Sequence, residues 1–364
     1  MKIKKTIFIL FLTPLFLLIP KTSFAIRSNP LIIDHTSIQE FDQIPTYWLN
    51  QAKTTLKIAY GHTSHGSQII TGMNMLGSSY AYFDDYYYYK FGSNNPKAPD
   101  GTLSLWDQKI EGASDLGNPD RTAWKSATEN MLDSSQYGNR NTVIWSWCGQ
   151  ADTTNTNIDL YLSQMNELEN KYTNTTFVYM TGHLNGTGTS GNLNQRNQQI
   201  RNYVKQNNKI LFDFADIESY DPNNTFYPNA SDGCEWCSNW CSSHSCPSCT
   251  SCAHSHCFNC YNKGKAFWVM LAKIAGWNDN ETNPTTVPIP INQCPADKPP
   301  RSTGNADCND HINISDFAIW KKEFIEYKKQ SIPINNYQSD FNNDQKINIS
   351  DFAIWKINFL QSKN

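Results

Sequence analysis

The chain has 364 residues, a formal net charge of −3, and 13% aromatic against 17% charged residues. Dispersed Lys and Arg in a slightly acidic chain exclude the basic footprint of a nucleic-acid partner. The length suits one full-sized domain plus something small, because single cores stop growing near ~250–300 residues.

At the N-terminus, Lys2, Lys4 and Lys5 precede an apolar run from Ile7 to Ile19, with small Ser23 and Ala25 before a cleavage point. This layout predicts a secretory signal peptide over residues 1–25 and hence a secreted, extracellular protein. The run is short for a bilayer crossing, and no later segment reaches spanning length, so no membrane span is expected after cleavage.

Residues 26–282 read as one α/β domain. Leu56–Tyr60, Thr142–Trp147, Thr176–Met180 and Lys209–Phe214 are short apolar runs rich in β-branched and aromatic residues, the pattern of buried strands. Helical spacing separates them: Leu160, Leu162, Met165 and Leu168 in one stretch, and Ile200 and Tyr203 in another. The apolar stretch Lys263–Ala275 ends at Gly276, a suitable helix stop. Strands alternating with helices predict a three-layer fold, a parallel sheet with helices on both faces.

Of the 11 cysteines, eight crowd into residues 232–262, while Cys148, Cys294 and Cys308 stand apart. In an exported protein this spacing favours disulfides as staples for a loop-rich insertion. The repeated C-x-x-C spacing near His244, His254 and His256 keeps Zn2+ as the lesser alternative. Spacing alone assigns no connectivity.

Residues 283–303 are rich in Pro among Thr, Asn and Asp and predict an extended linker. Residues 304–364 contain a repeat: Asn313-Ile314-Ser315-Asp316-Phe317-Ala318-Ile319-Trp320 recurs as Asn348 to Trp355. Each copy closes a 12-residue loop with oxygens at the positions Ca2+ requires. The second loop offers Asp340, Asn342, Asp344, the carbonyl of Lys346, Asn348 and Asp351. The first offers Asn305, Asp307, Asn309, the carbonyl of His311, Asn313 and Asp316, with fewer carboxylates, so weaker binding is expected. Position 6 holds Asp310 and Gln345 where glycine is usual, which predicts a non-glycine residue in a strained turn. The duplicated pattern resembles a dockerin, a small all-α calcium-binding module. That resemblance implies a cohesin-type protein partner and tethering of the larger domain to a scaffold.

The larger domain carries a candidate nucleophile. In Lys57-Ile58-Ala59-Tyr60-Gly61-His62-Thr63-Ser64-His65-Gly66-Ser67, a strand runs into a glycine turn and then Ser64, with Ser67 as the second choice. A serine there would sit at the C-terminal edge of the sheet. The arrangement resembles the first block of SGNH (GDSL-like) hydrolases, with Thr63 in place of the usual aspartate. The resemblance implies oxyanion donors at Gly117, in Asp115-Leu116-Gly117-Asn118-Pro119, and at Gln150, in Trp147-Cys148-Gly149-Gln150. It places the general base at His254, with His256 as the alternative, ahead of the last helix. The acid that this family has three residues before its histidine is missing, because Ser251 and Ala253 stand there, and Asp213 or Asp216 would replace it. His62 and His65 read as turn-fixing side chains and His183 as lining the same cleft. The Tyr86–Tyr89 run reads as a packed covering loop, or otherwise as a sugar platform.

Together these readings predict a secreted serine esterase, with a polysaccharide or small ester as substrate. The alternative is a non-catalytic carbohydrate-binding or cell-surface protein on the same fold.

Overall fold

The computed structural model describes residues 27–91, 96–99, 101–107, 110–136, 138–278, 294, 298–330, 338–342 and 346–362. The signal-like segment, most of the proline-rich linker, and Asp344 and Gln345 lie outside the described residues. The chain forms two compact units, Met1–Trp277 and Asn278–Asn364.

In the larger unit the elements run β1 (Leu31–Ile33), α1 (Thr46–Thr55), β2 (Lys57–Gly61), α2 (Ser67–Asn74), β3 (Tyr82–Asp84), α3 (Tyr86–Phe91), β4 (Leu103–Asp107), α4 (Ala123–Asp133) and β5 (Thr142–Trp145). They continue with α5 (Asn155–Lys171), β6 (Thr176–Met180), α6 (Asn192–Gln206), β7 (Ile210–Phe212), α7 (Phe214–Ser219), α8 (Glu235–Ser243) and α9 (Cys257–Ile274). All strand pairs are parallel, in the order β1-β7-β6-β5-β2-β4-β3. The fold is therefore α/β with a seven-stranded parallel sheet.

Alternation along the strands feeds two cores. Ile58, Tyr60 and Ile144 join one cluster with Leu49, Ile69 and residues 266–272 of α9, while Ala59, Val143 and Trp145 join another with Trp124, Tyr161 and Ile200. Because both faces are covered, the central strands read as continuous apolar runs, with the period of two hidden. The edge strands β1 and β3 have three residues each, too few for a pattern to emerge, and the sequence reading missed both along with β4.

α9 is the central helix of the first core, with Phe267, Trp268, Val269, Met270 and Leu271 all buried. It approaches α2 so closely that a Cβ on Gly72 would lie 1.8 Å from the Cys260 carbonyl oxygen, and one on Gly264 2.3 Å from Gly72. Two facing glycines are what let these backbones touch. Gly276 follows α9 in a left-handed conformation, φ 118°, under the ring of Trp48.

The chain leaves β2 for β3 and β4 on one side and then returns to β5 on the other. The ends of β2 and β5 lie side by side, Gly61 opposite Trp145. This is a topological switch point, where the loops diverge and open a crevice at the carboxyl ends of the strands.

The smaller unit has α10 (Ile314–Gln330) and α11 (Ile349–Gln361) around Trp320, Phe341, Ile347 and Trp355. The repeat shows in its bonds. Trp320 Nε1 donates to the Asn348 carbonyl at 3.3 Å, and Trp355 Nε1 donates to the Asn313 carbonyl at 2.9 Å.

Candidate active site

The crevice is built by the loops after β2 and β5. The turn 62–66 joins β2 directly to α2, so its side chains are held at the sheet rim by a buried strand and a packed helix. Ser146, Trp147 and Cys148 continue β5, with Trp147 buried and its Nε1 donating to the Met180 carbonyl at 3.0 Å. Cys148 is thereby carried to the turn. Its Sγ lies 3.2 Å from His65 Nδ1 and 3.7 Å from Ser64 Oγ. The other ring nitrogen, His65 Nε2, lies 3.0 Å from Asp232 Oδ2. Thiol, imidazole and carboxylate thus form one line, the order in which a nucleophile, its base and an orienting acid stand.

Three imidazoles stack here. The His65 ring lies 4.1 Å from that of His183 and 4.7 Å from that of His254, with interplanar angles of 6° and 18°. His183 follows β6. Asp232 and His254 come from the cysteine-rich segment, whose eight cysteines pair as Cys234–Cys237, Cys241–Cys246, Cys249–Cys257 and Cys252–Cys260. The thiolates that a zinc site in that segment would need are therefore taken up as disulfides. The last two bridges anchor the segment to α9, and the segment brings Asp232, at its start, and His254, between Cys252 and Cys257, to the crevice. His254 is left-handed, φ 59°, which is uncommon for a residue with a Cβ. The Gln68 side chain, donating to the Ala253 carbonyl at 2.6 Å, helps hold that turn.

Burial and charge act on the three groups together. Burial pushes the Cys148 thiol up, but hydrogen bonds from His65, Ser64 and Thr63 and the imidazolium charge outweigh it, leaving the pKa below its ordinary value. Burial pulls His65 down, yet the hydrogen bonds and charges of Asp232 and Cys148 raise it overall. Burial also acts to raise Asp232, and the surrounding histidines, His65 first, hold it low. A lowered thiol beside a raised imidazole favours thiolate and imidazolium over the neutral pair. Alkylation of Cys148 by iodoacetamide should therefore reach half-maximal rate below the ~8.5 of a free cysteine, and His65→Ala should move that midpoint upward. A midpoint unmoved by His65→Ala would show that the pair does not form.

The residues singled out in the sequence take these places. Ser64 is in the crevice, but its hydroxyl bonds to Cys148, and His65 rather than His254 is the nearer imidazole through that thiol. Ser67 Oγ donates to the Ser64 carbonyl at 2.6 Å. Gly117 and Gln150 do meet, since a Cβ on Gly117 would lie 2.5 Å from Gln150 Cγ. Their donors, however, serve the buried Asp115: Gly117 N–H at 2.9 Å and Gln150 Nε2 at 3.5 Å. Thr63 Oγ1 donates to the same carboxylate at 2.8 Å. His256 caps α9 by accepting from Phe258 N–H. Asp213 is gripped by Arg201 at 2.6 and 2.8 Å, and Asp216 lies 2.5 Å from His35. Neither carboxylate reaches His254 by a hydrogen bond. His62, on the same turn as His65, bonds to Asp107 at 2.6 Å in a further imidazole–carboxylate pair. In the tyrosine run, Tyr86 and Tyr88 pack into the second core.

The sequence reading passed over Cys148, His65 in a chemical role, and Asp232. One signal was present: an odd number of cysteines leaves one unpaired, and Cys148 is the free one among the described residues.

In the smaller unit the first loop folds as an oxygen-lined turn. Asp316 accepts from Asp307 N–H at 3.2 Å and from Asn313 N–H at 2.8 Å, and Asp351 accepts from Phe341 N–H at 2.9 Å and from Asn348 N–H at 2.9 Å. Burial pushes both carboxyls up, helped by the charges of Asp307 and Asp340 respectively. Asn305 Oδ1 is buried without a hydrogen-bond partner. An oxygen left bare at position 1 and crowded carboxylates are what a hard divalent cation would satisfy, so these residues fit calcium. The left-handed residue of this loop is Cys308, φ 56°, bonded to Cys294, and not Asp310 at position 6. The turn is made two positions earlier than expected, which relieves Asp310 of the strain.

Compared with family models, curated proteins and solved structures, the chain gives no match, so the chemistry of this crevice is carried by its own geometry.

Proposed function

We propose that the larger unit is a thiol-dependent acyl hydrolase in which Cys148 is the nucleophile, His65 the base and Asp232 the residue that orients it. The observation that carries this reading is the contact chain from Cys148 Sγ through His65, 3.2 Å on one side and 3.0 Å to Asp232 on the other. The thiolate attacks the ester carbonyl carbon and the bond to the leaving oxygen breaks. The His65 imidazolium gives its proton to that oxygen, leaving a thioester on Cys148. Water then attacks the thioester as His65 takes one of its protons. The carboxylic acid departs and the thiolate is restored. The Gly149 N–H, next to the nucleophile in the chain and with open space where a Cβ would stand, is the donor we assign to the developing oxyanion. Ser64 supports the thiolate by a hydrogen bond, where the SGNH resemblance would have made it the nucleophile. Ser64 and Cys148 both stand at the carboxyl-end rim, after β2 and β5, which supports an SGNH-like layout with the chemistry moved one loop across.

Incubation with p-nitrophenyl acetate, followed by acid quench and peptide mass analysis, tests this reading. An acetyl group on the Cys148 peptide is expected, and acetylation of the Ser64 hydroxyl instead would overturn the assignment.

A second reading has one observation behind it. Ligand atoms of His65, His183 and Asp232 all lie within 4.8 Å of one another. Near-parallel rings 4.1 Å apart argue against it, because an ion between them would lie out of both ring planes, whereas imidazole nitrogen donates in its plane. Stoichiometric metal in the purified protein, lost in His183→Ala, would favour this second reading.

Residues 304–364 we read as a calcium-stabilised tether, exported with the larger unit and docking on a cohesin-type partner as the dockerin resemblance implies. Asn305, Asp307, Asn309, Asn313 and Asp316 would hold one ion, with the His311 carbonyl, and the equivalent residues from Asp340 to Asp351 a second. Adding calcium to chelator-treated protein should increase α-helical circular dichroism and stabilise this unit against unfolding by about 2.7 kcal/mol per occupied site at a hundredfold excess over Kd. Asp351→Asn should remove much of that gain, and spectra indifferent to calcium would discard the assignment.

A further inference from the structure

A cavity of about 360 Å³ opens beside the crevice, sharing His183 with it. Cys148 and His65 do not line it, but His183 does, and its ring is the one stacked 4.1 Å from His65. The volume falls within the ~300–1,000 Å³ of pockets that hold small ligands.

We infer that this cavity is a binding subsite for a neutral sugar ring. The first reason is a platform of stacked rings. His35 lies 3.6 Å from Tyr220 at 11°, and Tyr220 lies 4.9 Å from Phe226 at 28°. Tyr220 and Phe226 both line the cavity, and Phe226 keeps 45% of its surface exposed. The stack is fixed from behind, since Asp216 accepts from the His35 backbone N–H at 3.0 Å and bonds to its ring at 2.5 Å. Phe226 is held by its stacking on Tyr220 while nearly half of its surface stays exposed, and a flat ring presented in this way suits the C–H face of a pyranose.

The second reason is the polar lining. Arg201 grips Asp213 through Nε and Nη2, which leaves Nη1 without a partner among the described residues, and the Lys205 amino group also has none there. Asp216 adds an acceptor. Hydroxyl groups donate and accept at once, so a polyol can satisfy such a mixed set. Charge then separates neutral from acidic sugars. Asp213 is paired with Arg201, Asp216 is hydrogen-bonded by His35, and Asp34 balances Lys205 in charge, so the lining holds no surplus cation to draw a uronate in.

The subsite deepens the acyl-hydrolase reading by naming the substrate as an acylated neutral glycan. It rests on that reading only for which bond reaches Cys148.

The test uses the full chain carrying Cys148→Ala, so that binding is read without turnover. Isothermal titration with cellohexaose, xylohexaose, mannohexaose and tri-galacturonic acid should show binding of at least one neutral hexaose and none of the acid. Phe226→Ala should weaken that binding at least tenfold with an unchanged unfolding midpoint, because the ring is half exposed. Binding of none of the neutral hexaoses by folded protein, preference for the acid, or equal binding by Phe226→Ala would each overturn the subsite. Hydrolysis of p-nitrophenyl acetate by the wild type would survive all three outcomes, and its loss would leave glycan binding by the Cys148→Ala protein intact.

Discussion

Replacing Cys148 with alanine is expected to lower kcat/KM for p-nitrophenyl acetate by about 10³-fold or more, while Ser64→Ala stays within about tenfold of wild type. The difference follows from what each side chain touches. Cys148 Sγ is the group in contact with His65 Nδ1, the imidazole whose far nitrogen Asp232 holds, so removing sulfur removes the nucleophile and the partner of the base together. Ser64 contributes one hydrogen bond to the sulfur at 3.7 Å, long even for a thiol contact. Its loss should cost about 1 kcal/mol of thiolate stabilisation. Asp232→Asn should fall between them, because it leaves the imidazole in place but weakens the preference for the imidazolium. The pH profile of the wild type should rise as the thiolate forms, below the range of a free thiol, and fall when His65 loses its proton, above the range of a free imidazole. The opposite ranking, with Ser64→Ala inactive and Cys148→Ala active, would restore the serine as nucleophile.

Much of the architecture was legible in the sequence because central parallel strands are buried on both faces and appear as apolar runs. Thr176–Met180 coincides with β6, and the runs around β2, β5 and β7 differ from those strands by only a few residues at their ends. The edge strands were illegible for the converse reason, since Leu31–Ile33 and Tyr82–Asp84 gain their strand character from the neighbour they pair with. The site divided in a similar way. The turn after β2 was visible as a glycine turn between a strand and an apolar helix, and the block after β5 was visible as a strand ending in glycine. Which side chain of each block would meet the other depended on the switch point between β2 and β5, and strand order is not written in local periodicity. Asp232 was hidden more deeply. It reaches His65 across a sequence separation of 167 residues through a segment whose path is set by four disulfides, and cysteine spacing alone allows many pairings.

The second large effect concerns what lies beneath the crevice. Lys263 and Glu218 form an ion pair at 2.6 Å in which both side chains are fully buried. Burial pulls the Lys263 amino group down, and the Glu218 charge pushes back. Lys263 also bonds to Gln68 and sits 3.9 Å above the Phe214 ring. Each buried apolar side chain of α9 gains about 1.5–3 kcal/mol, so the helix can carry the several kcal/mol that desolvating one lysine costs. Lys263→Ala leaves Glu218 buried without its cation and is expected to destabilise the larger unit by about 3–5 kcal/mol, lowering its melting temperature on the order of 10 °C. Lys263→Met combined with Glu218→Leu should recover most of that loss, because a buried pair replaced by apolar groups of similar volume is close to neutral. Activity should part from stability in the double variant. Glu218 Oε2 accepts from Leu184 N–H at 2.8 Å beside His183, and Lys263 holds the Gln68 side chain that donates to the Ala253 carbonyl beside His254, so the His183 loop loses its anchor and the side chain holding the His254 turn loses its own support. A stable double variant with a reduced rate of Cys148 alkylation is the expected result. A Lys263→Ala protein within 1 kcal/mol of wild type by chemical denaturation would show that the pair is open to water and that the crevice does not rest on it.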